Sequence, residues 1–365
     1  MSTIKVLHVI ARLNVGGTAR YITQLSEGLP AHGFEVHIAT GYVQGSEVED
    51  PAVDQLNIIR IPSLGRSFNL IKDFHSRNEL KKIISELKPD IIHTHTFKAG
   101  YISRIRKLSA PVVHTFHGHL LEDPEFSGFK KGLIVKIERL LAKNSVMLVT
   151  VGSKVADDLL NRNIGLKSQY VSIPPGVVAL KIPSRSEAIK NLGFVGIDTQ
   201  VVGWIARLTG VKNPMRALEV ARRLPEIRFI IAGGGDLLNA VKAAAPTNVS
   251  VIGWAQAANL IGASNIILST SENEGMPVAL IEAQMAGKPV VATNVGSVSE
   301  VIEDKVTGIL TDSNVESIVS AIQSLTNDKK LASKMGESAV SRAESKFSVD
   351  RMIHAHVDLY RSILK

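Results

Sequence analysis

Cysteine is absent from the 365-residue chain, so neither a disulfide framework nor a thiolate metal site can form. That fits a reducing compartment. Aromatic residues make up only 5%, and no basic stretch is interleaved with them. The stacking platform of a nucleic-acid binder is therefore missing, and nucleic acid is not expected as a partner. Long apolar runs are also lacking: none approaches the roughly 18 residues that cross a bilayer. The opening MSTIKVLHVIARLN is broken by Lys5 and followed by Arg12, too short for a signal-peptide core. The expected location is the cytoplasm.

Acidic charge is in short supply, and the formal net charge is +8. Residues 1–180 carry 22 Lys and Arg against 16 Asp and Glu, and residues 181–365 carry 20 against 18. The excess sits in the first half. It favours an anionic partner there, such as a phosphorylated acceptor or an acidic membrane surface, or it only keeps the protein in solution. Hydrophobic residues at 45% and charged residues at 21% give a globular composition, and the length suits two domains.

Short β-branched runs alternate with helical stretches throughout. The first half holds IKVLHVI (4–10), FEVHIAT (34–40), NIIRI (57–61), DIIHTH (90–95), PVVHTF (111–116), VMLVTVG (146–152) and YVSI (170–173). The second holds QVVGWIA (200–206), RFIIAG (228–233), VSVIG (249–253), NIILST (265–270), PVVAT (289–293) and TGIL (307–310). Strands apolar on both faces and spaced by helices imply parallel sheets covered on both sides. The fold class is α/β: two doubly wound, Rossmann-like domains facing across a cleft, joined at the turn-rich IPPGVVALKIPS (173–184). The expected domains are 1–175 and 176–345, with a terminal helix over 346–365. Ligands of such sheets sit at the carboxyl ends of the strands, and the conspicuous motifs fall there.

ENEGMPVALIE (272–282) follows a strand. Pro277 suits the first helical position, leaving the amides from Gly275 through Met276 to residue 278 free for an anion. Glu274 beside them suits sugar hydroxyls, or it merely complements the helix dipole. Glu282 suits the two hydroxyls of a ribose, or it faces solvent. ARLTGVKNP (206–214) places Arg207 and Lys212 around a Gly loop, either as a diphosphate clamp or as solvated cations. NVGGTARY (14–21) brings Gly16 and Gly17 to a helix start, either for phosphate approach or as a plain turn. AGGGD (232–236) is similar. His93, His95, His114, His117 and His119 cluster in sequence, with Glu122, Asp123 and Glu125 the nearest acids. They suit sugar or phosphate contact, a metal, or a plain core.

Taken together, the run SENEGMPVALIEAQMAGKPVVATNVGSVSEVI, with its E-x7-E spacing, resembles the signature of GT-B glycosyltransferases of family 4. VGG, HTFHG, ARL…K and IPPGV fall in that family's order. The resemblance implies retaining, hexosyltransferase-type transfer from a nucleotide-sugar, with no cofactor and no essential metal; UDP-sugar is expected ahead of GDP-sugar. It implies that Arg207 and Lys212 hold the diphosphate, and that Glu274 contacts the donor sugar beside Gly275, Met276 and Pro277. Glu282 would bind the ribose, Gly16 and Gly17 would lie against the phosphates, and His117 would contact the transferred sugar near the reaction centre. The first domain would take a glycan or lipid-linked acceptor, as in surface polysaccharide or glycolipid synthesis. The second would bind the nucleotide-sugar, and the terminal helix would return to the first. Three positions depart from the pattern: Gly234 where an acid is common, Ser297 where Gly is usual, and Pro175 where Asn is common.

Other readings fit parts of the pattern. A metal-dependent hydrolase would use His93, His95, His114 and His117. A nucleotide-sugar epimerase or a non-catalytic nucleotide-binding module would share the fold. Residues 126–143, FSGFKKGLIVKIERLLAK, form a basic amphipathic helix that suits the inner face of an anionic membrane, or only covers the sheet.

Overall fold

The computed structural model describes residues 3–45, 47–65, 67–119 and 129–365, without the side chains of 129 and 130. The expected acids Glu122, Asp123 and Glu125 and the first residues of the basic helix lie outside the described residues. The chain divides into two compact units. Unit 1 comprises Met1–Gly176 and Val349–Lys365; unit 2 comprises Val177–Ser348.

Unit 1 contains a sheet of β1 (Ile4–Ile10), β2 (Phe34–Thr40), β3 (Ile58–Arg60), β4 (Ile91–His95), β5 (Val112–Phe116), β6 (Met147–Thr150) and β7 (Tyr170–Ser172). All pairs are parallel, in the order β3-β2-β1-β4-β5-β6-β7. Its helices are α1 (Gly17–Gly28), α2 (Leu70–Leu87), α3 (Thr96–Arg104), α4 (Phe129–Ala142) and α5 (Ser153–Asn161). Side chains alternate across each strand, so both faces need cover. On one face Leu7, Val9 and Ile92 pack with Leu80, Ile84, Ala99 and Ile102. On the other, Val6, Ile91, Val113 and Val149 pack with Tyr21 and Leu25 of α1.

Unit 2 repeats the scheme with β8 (Val201–Ile205), β9 (Arg228–Ala232), β10 (Val249–Gly253), β11 (Ile266–Ser269), β12 (Val290–Thr293) and β13 (Gly308–Thr311). These run parallel in the order β10-β9-β8-β11-β12-β13. Its helices are α6 (Arg185–Asn191), α7 (Pro214–Arg223), α8 (Leu238–Ala244), α9 (Ala257–Ala263), α10 (Val278–Met285), α11 (Val298–Val301), α12 (Val315–Asn327) and α13 (Lys329–Phe347). The last helix, α14 (Val349–Ile363), belongs to unit 1. Met352, Ile353, Val357, Leu359 and Tyr360 complete the core formed by Val6 and Tyr21.

The strand order reverses between β1 and β4 and again between β8 and β11. At such a switch point the flanking helices depart to opposite faces and leave a crevice at the carboxyl ends. Gly16 and Gly17 follow β1, and Thr96 follows β4. Arg207 to Lys212 follow β8, and Glu272 to Pro277 follow β11. Topology alone thus gathers each unit's motifs at one end.

Helix α4 is anchored by a buried ion pair: Arg104 Nη2 donates to Glu138 Oε1 at 2.8 Å, with both side chains fully buried. Burial pushes the Glu138 carboxyl up and the Arg104 guanidinium down, each against the pull of its partner. The opposite side of α4 exposes Lys136, with Leu133 at 50% and Leu140 at 62% exposure, and Lys131 and Arg139 are exposed nearer its ends and flank. No helix among the described residues is long and apolar enough to cross a membrane.

Removing one partner of a buried pair leaves an uncompensated charge, at a cost of about 3–5 kcal/mol, whereas an apolar replacement of both is tolerated. Urea unfolding should therefore show Glu138→Leu strongly destabilised, and Arg104→Met with Glu138→Leu recovering most of the loss. A double variant as weak as the single one would contradict the assignment.

Candidate active site

In unit 2 the loops after β8 and β11 are laced together. Trp204 Nε1 donates to Thr270 Oγ1 at 2.9 Å, and Thr270 Oγ1 donates to the Asn213 carbonyl at 2.8 Å. Asn213 caps α7, its side chain accepting from Arg216 N at 3.1 Å, with Pro214 at the first helical position. Arg216 Nη2 and Asn213 Nδ2 both donate to Glu272 Oε1 at 2.6 Å. Glu272 is thereby committed to loop architecture.

Glu274 lies deeper, 8% exposed. Lys212 Nζ donates to its Oε2 at 2.6 Å, and Ser271 Oγ donates to its Oε1 at 2.7 Å. The backbone is gripped as well. Ser297 N donates to the Glu274 carbonyl at 2.9 Å, and a Cβ on Gly296, at φ +49°, would sit 2.1 Å from that oxygen. Only glycine fits there. Ser297 Oγ and Asn273 Oδ1 are buried beside it without a hydrogen-bond partner among the described residues. Ser297, a departure from the family pattern, thus braces Glu274 through its amide and keeps its hydroxyl uncommitted.

Two expectations need correction. Pro277 is the N-cap of α10, at φ −78° and ψ 92°, and the helix begins at Val278. The Pro277 carbonyl accepts from Leu280 N at 3.0 Å, so the extended proline is the hinge into the helix. The amides of Gly275, Met276 and Val278 make no hydrogen bond among the described residues. The solvent alternative for Glu282 is overturned, because it is 6% exposed on α10. Arg207, by contrast, is exposed and makes no ion pair among the described residues.

The glycine run after β9 folds under the same loops: Leu208 N donates to the Gly234 carbonyl at 2.8 Å. A side chain at Gly234 would meet Trp254 Nε1 at 2.3 Å, which accounts for the missing acid there. Trp254 is 77% exposed. An open groove of about 1440 Å³ lies at the amino ends of the strands, beside Gln200, Glu226 and Asn265, away from these loops.

In unit 1, Gly16 is the N-cap of α1 at φ +157°, and a Cβ on Gly17 would meet nothing within 4 Å. The helix start is open, and the amides of Gly17, Thr18 and Ala19 make no hydrogen bond among the described residues. Beside it stand the histidines. His8 and His93 are register partners on β1 and β4, and His95 lies two residues on, so the three rings share a face. His8 Nδ1 is 2.8 Å from His95 Nε2, and His95 Nδ1 is 3.0 Å from His117 Nε2. His93 Nδ1 is 2.6 Å from the Tyr360 hydroxyl and His93 Nε2 is 2.6 Å from Thr115 Oγ1. His356 Nδ1 donates to the Met352 carbonyl at 2.8 Å, so its Nε2 accepts from the Tyr21 hydroxyl at 3.0 Å. Thr96, immediately after His95, has φ +65°, a strained value for a β-branched residue.

Strand alternation splits the set expected of a hydrolase. His114 points to the opposite face of the sheet, where its Nδ1 meets Thr94 Oγ1 at 2.8 Å and its ring lies against Gly100 of α3. The ring nitrogens of His8, His93 and His95 come within 4.8 Å of one another, a spacing a metal could use. Of these three rings, only His8 Nε2 lacks a hydrogen bond among the described residues, so binding a metal would break several. His119 Nδ1 lies 3.5 Å from Asp158, apart from this chain.

Two parallel Rossmann-like units, each with a glycine-rich or cationic loop at its switch point, define a GT-B glycosyltransferase. Family models agree: glycosyltransferase family 4 matches residues 15–179, and glycosyl transferases group 1 matches residues 189–342. The chain belongs to the GT-B glycosyltransferases of family 4. It is 28% identical to an Escherichia coli UDP-Gal:alpha-D-GlcNAc-diphosphoundecaprenol alpha-1,3-galactosyltransferase, over 98% of this chain and 97% of that one. It is 26% identical to a D-inositol 3-phosphate glycosyltransferase of Paenarthrobacter aurescens, over 95% and 93%. Among solved structures, sucrose-phosphate synthase from Thermosynechococcus elongatus superposes with TM-score 0.84 at 19% identity, over 99% of both chains. Anabaena Alr3699/HepE in complex with UDP and glucose gives 0.82 at 16%, over 98% and 100%. A transferase, not a hydrolase, is what the relatives support.

Burial depresses the buried imidazoles. His8 is held down to about 3 and His356 to about 4, and His93, His95 and His114 also lie well below the usual value. Above the unfolded value near 6.5, both states are neutral and stability is unaffected. Below it the unfolded chain takes up protons that the folded chain refuses, so stability falls. Each such group contributes about 1.4 kcal/mol per pH unit. Urea titrations of the protein should be flat from pH 8 to 7 and lose stability steeply between pH 6.5 and 4. A flat profile through that window would show that the rings are solvated.

Proposed function

We propose that this enzyme transfers a sugar, with retention of configuration, from a UDP-sugar to a hydroxyl of a lipid-linked glycan acceptor. The observation that carries the reading is the convergence on Glu274. A buried carboxylate, the Lys212 ammonium and the unspent amides of Gly275, Met276 and Val278 meet at one strand end. Amides and cations suit a diphosphate, and a fixed carboxylate suits sugar hydroxyls. Glu282, buried on α10, is assigned the ribose. Arg207 is assigned the diphosphate, being exposed and without an ion-pair partner among the described residues.

In unit 1 the open start of α1 at Gly16 and Gly17 is assigned to phosphate, and His117 to an oxygen of the transferred sugar. The bond from the anomeric carbon to the diphosphate oxygen breaks as the acceptor oxygen bonds to that carbon on the same face. A diphosphate oxygen takes the acceptor proton. No metal or other cofactor enters this scheme, because Lys212, Arg207 and the amides supply the stabilising charge. UDP is favoured over GDP because the named E. coli relative uses UDP-Gal, and HepE is seen with UDP and glucose. The same relative's diphosphoundecaprenol acceptor supports a lipid-linked acceptor here and a role in surface glycan synthesis. Such an acceptor would bring the enzyme to the inner face of the membrane.

Calorimetry with UDP, GDP and ADP, with and without chelator, tests the donor site. UDP should bind without regard to chelator. Lys212→Ala and Glu282→Ala should each weaken it by about tenfold or more, as expected for a lost hydrogen bond to a charged group. Metal-dependent binding, or unchanged affinity in both variants, would refute the assignment.

The basic, leucine-bearing face of α4 is assigned to anionic lipid. Full-length protein should co-sediment with liposomes containing phosphatidylglycerol and not with phosphatidylcholine alone. Leu133→Glu with Leu140→Glu should abolish the difference. Equal sedimentation with both lipids, or none with either, would remove anionic-lipid binding from the account.

A further inference from the structure

Three imidazoles of unit 1 form a chain leading outward from the core. His8 on β1 is fully buried, His95 at the end of β4 is fully buried, and His117 beyond β5 is half-buried. His8 Nδ1 lies 2.8 Å from His95 Nε2, and His95 Nδ1 lies 3.0 Å from His117 Nε2. Burial keeps all three rings neutral. A neutral imidazole carries one N–H, so its other nitrogen can only accept. Both contacts can exist together only if every ring holds its proton on the same nitrogen: all on Nδ1, or all on Nε2.

The inner end of the chain selects between these states. His8 Nε2 is buried and has no hydrogen-bond partner among the described residues. With the protons on Nε2, that atom would be an orphaned N–H donor. With the protons on Nδ1, it is only an unused lone pair. Orphaned buried N–H groups are the rarer defect. The Nδ1 state is therefore selected: His8 donates to His95 and His95 donates to His117. His117 is left with Nδ1–H as its one donor, and no hydrogen bond among the described residues uses that nitrogen.

The side of the chain is fixed too. Tyr21 stands edge-on to His117 at 5.0 Å between ring centroids, and its hydroxyl is committed to His356. Beyond His8 and His117, His95 makes no side-chain hydrogen bond among the described residues.

We propose that His8 is a positioning residue which, through His95, holds His117 in the Nδ1–H form, so that His117 presents an N–H donor to a sugar oxygen. The sugar contact rests on the function proposed above; the tautomer relay does not. One consequence is that His117 cannot act as a base at the reaction centre, since its other nitrogen already accepts from His95.

Long-range proton–nitrogen correlation spectra of full-length protein labelled with 15N-histidine read each tautomer directly, and His117→Gln assigns the His117 signals. The wild type should show His117 protonated on Nδ1. His8→Asn, whose amide keeps an N–H close to the place of Nδ1, should preserve that form. His8→Phe keeps ring volume without the donor. It should shift His117 toward Nε2–H and lower kcat for sugar transfer about tenfold, as for one lost hydrogen bond, with UDP affinity unchanged. His117 protonated on Nε2 in the wild type would overturn the proposal. So would an unchanged tautomer in His8→Phe, or stoichiometric zinc in the wild type that His8→Phe releases. If His8→Phe does not fold, the wild-type and His8→Asn spectra still decide. If the spectra hold but His117→Gln transfers sugar normally, the sugar contact fails and the relay stands.

Discussion

The Glu274 carboxylate is taken out of water and has to be neutralised inside unit 2, and the organisation of that unit's loops follows from this need. Lys212 supplies the charge from the β8 loop, Ser271 supplies a second hydrogen bond, and Gly296 lets the backbone close over the Glu274 carbonyl. A mostly buried ion pair of this kind adds little net stability, because the loss of hydration offsets the attraction. Its consequence is geometric. The pair fixes a cation and an acceptor at the mouth of an open helix start before any ligand arrives, so little ordering remains to be done on binding. Glu272, two residues earlier, is spent on Arg216 and Asn213, which hold the loop that presents Lys212.

Unit 1 has the same topology and opposite chemistry. Where unit 2 gathers charge at its switch point, unit 1 gathers neutral donors and acceptors: histidines, Tyr21, Tyr360 and Thr115. The return of α14 is essential to this, because it supplies His356 and Tyr360 to the cluster and Met352 and Val357 to the core around it. The buried Arg104–Glu138 pair shows what the inward face of α4 does, which separates it from the basic outward face.

Much of this was legible in the sequence because it follows from period and punctuation. Doubly covered parallel strands read as unbroken β-branched runs, and every expected strand falls within a few residues of an observed one. The donor loops were found because ligand sites of such sheets lie after strands. Contacts between distant side chains were not legible. Lys212 and Glu274 are 62 positions apart, and only the β8–β11 neighbour relation brings them together. His8 stands far from the 93–119 cluster in sequence and joins it through the β1–β4 register. The same strand geometry removes His114 from that cluster, which alternation could have signalled once 91–95 and 112–116 were read as paired strands. Pro277 was misplaced by one position because proline is equally at home just before a helix and in its first turn.

The most direct test is a crystal structure of the protein with UDP bound. The account predicts the phosphates on Lys212 and the amides of Gly275, Met276 and Val278, and the ribose hydroxyls on Glu282. It also predicts that Glu274 remains hydrogen-bonded to Ser271 and Lys212, with a further lone pair of its carboxylate accepting from a sugar hydroxyl. UDP seated elsewhere, or held with Lys212 and Glu282 untouched, would contradict it.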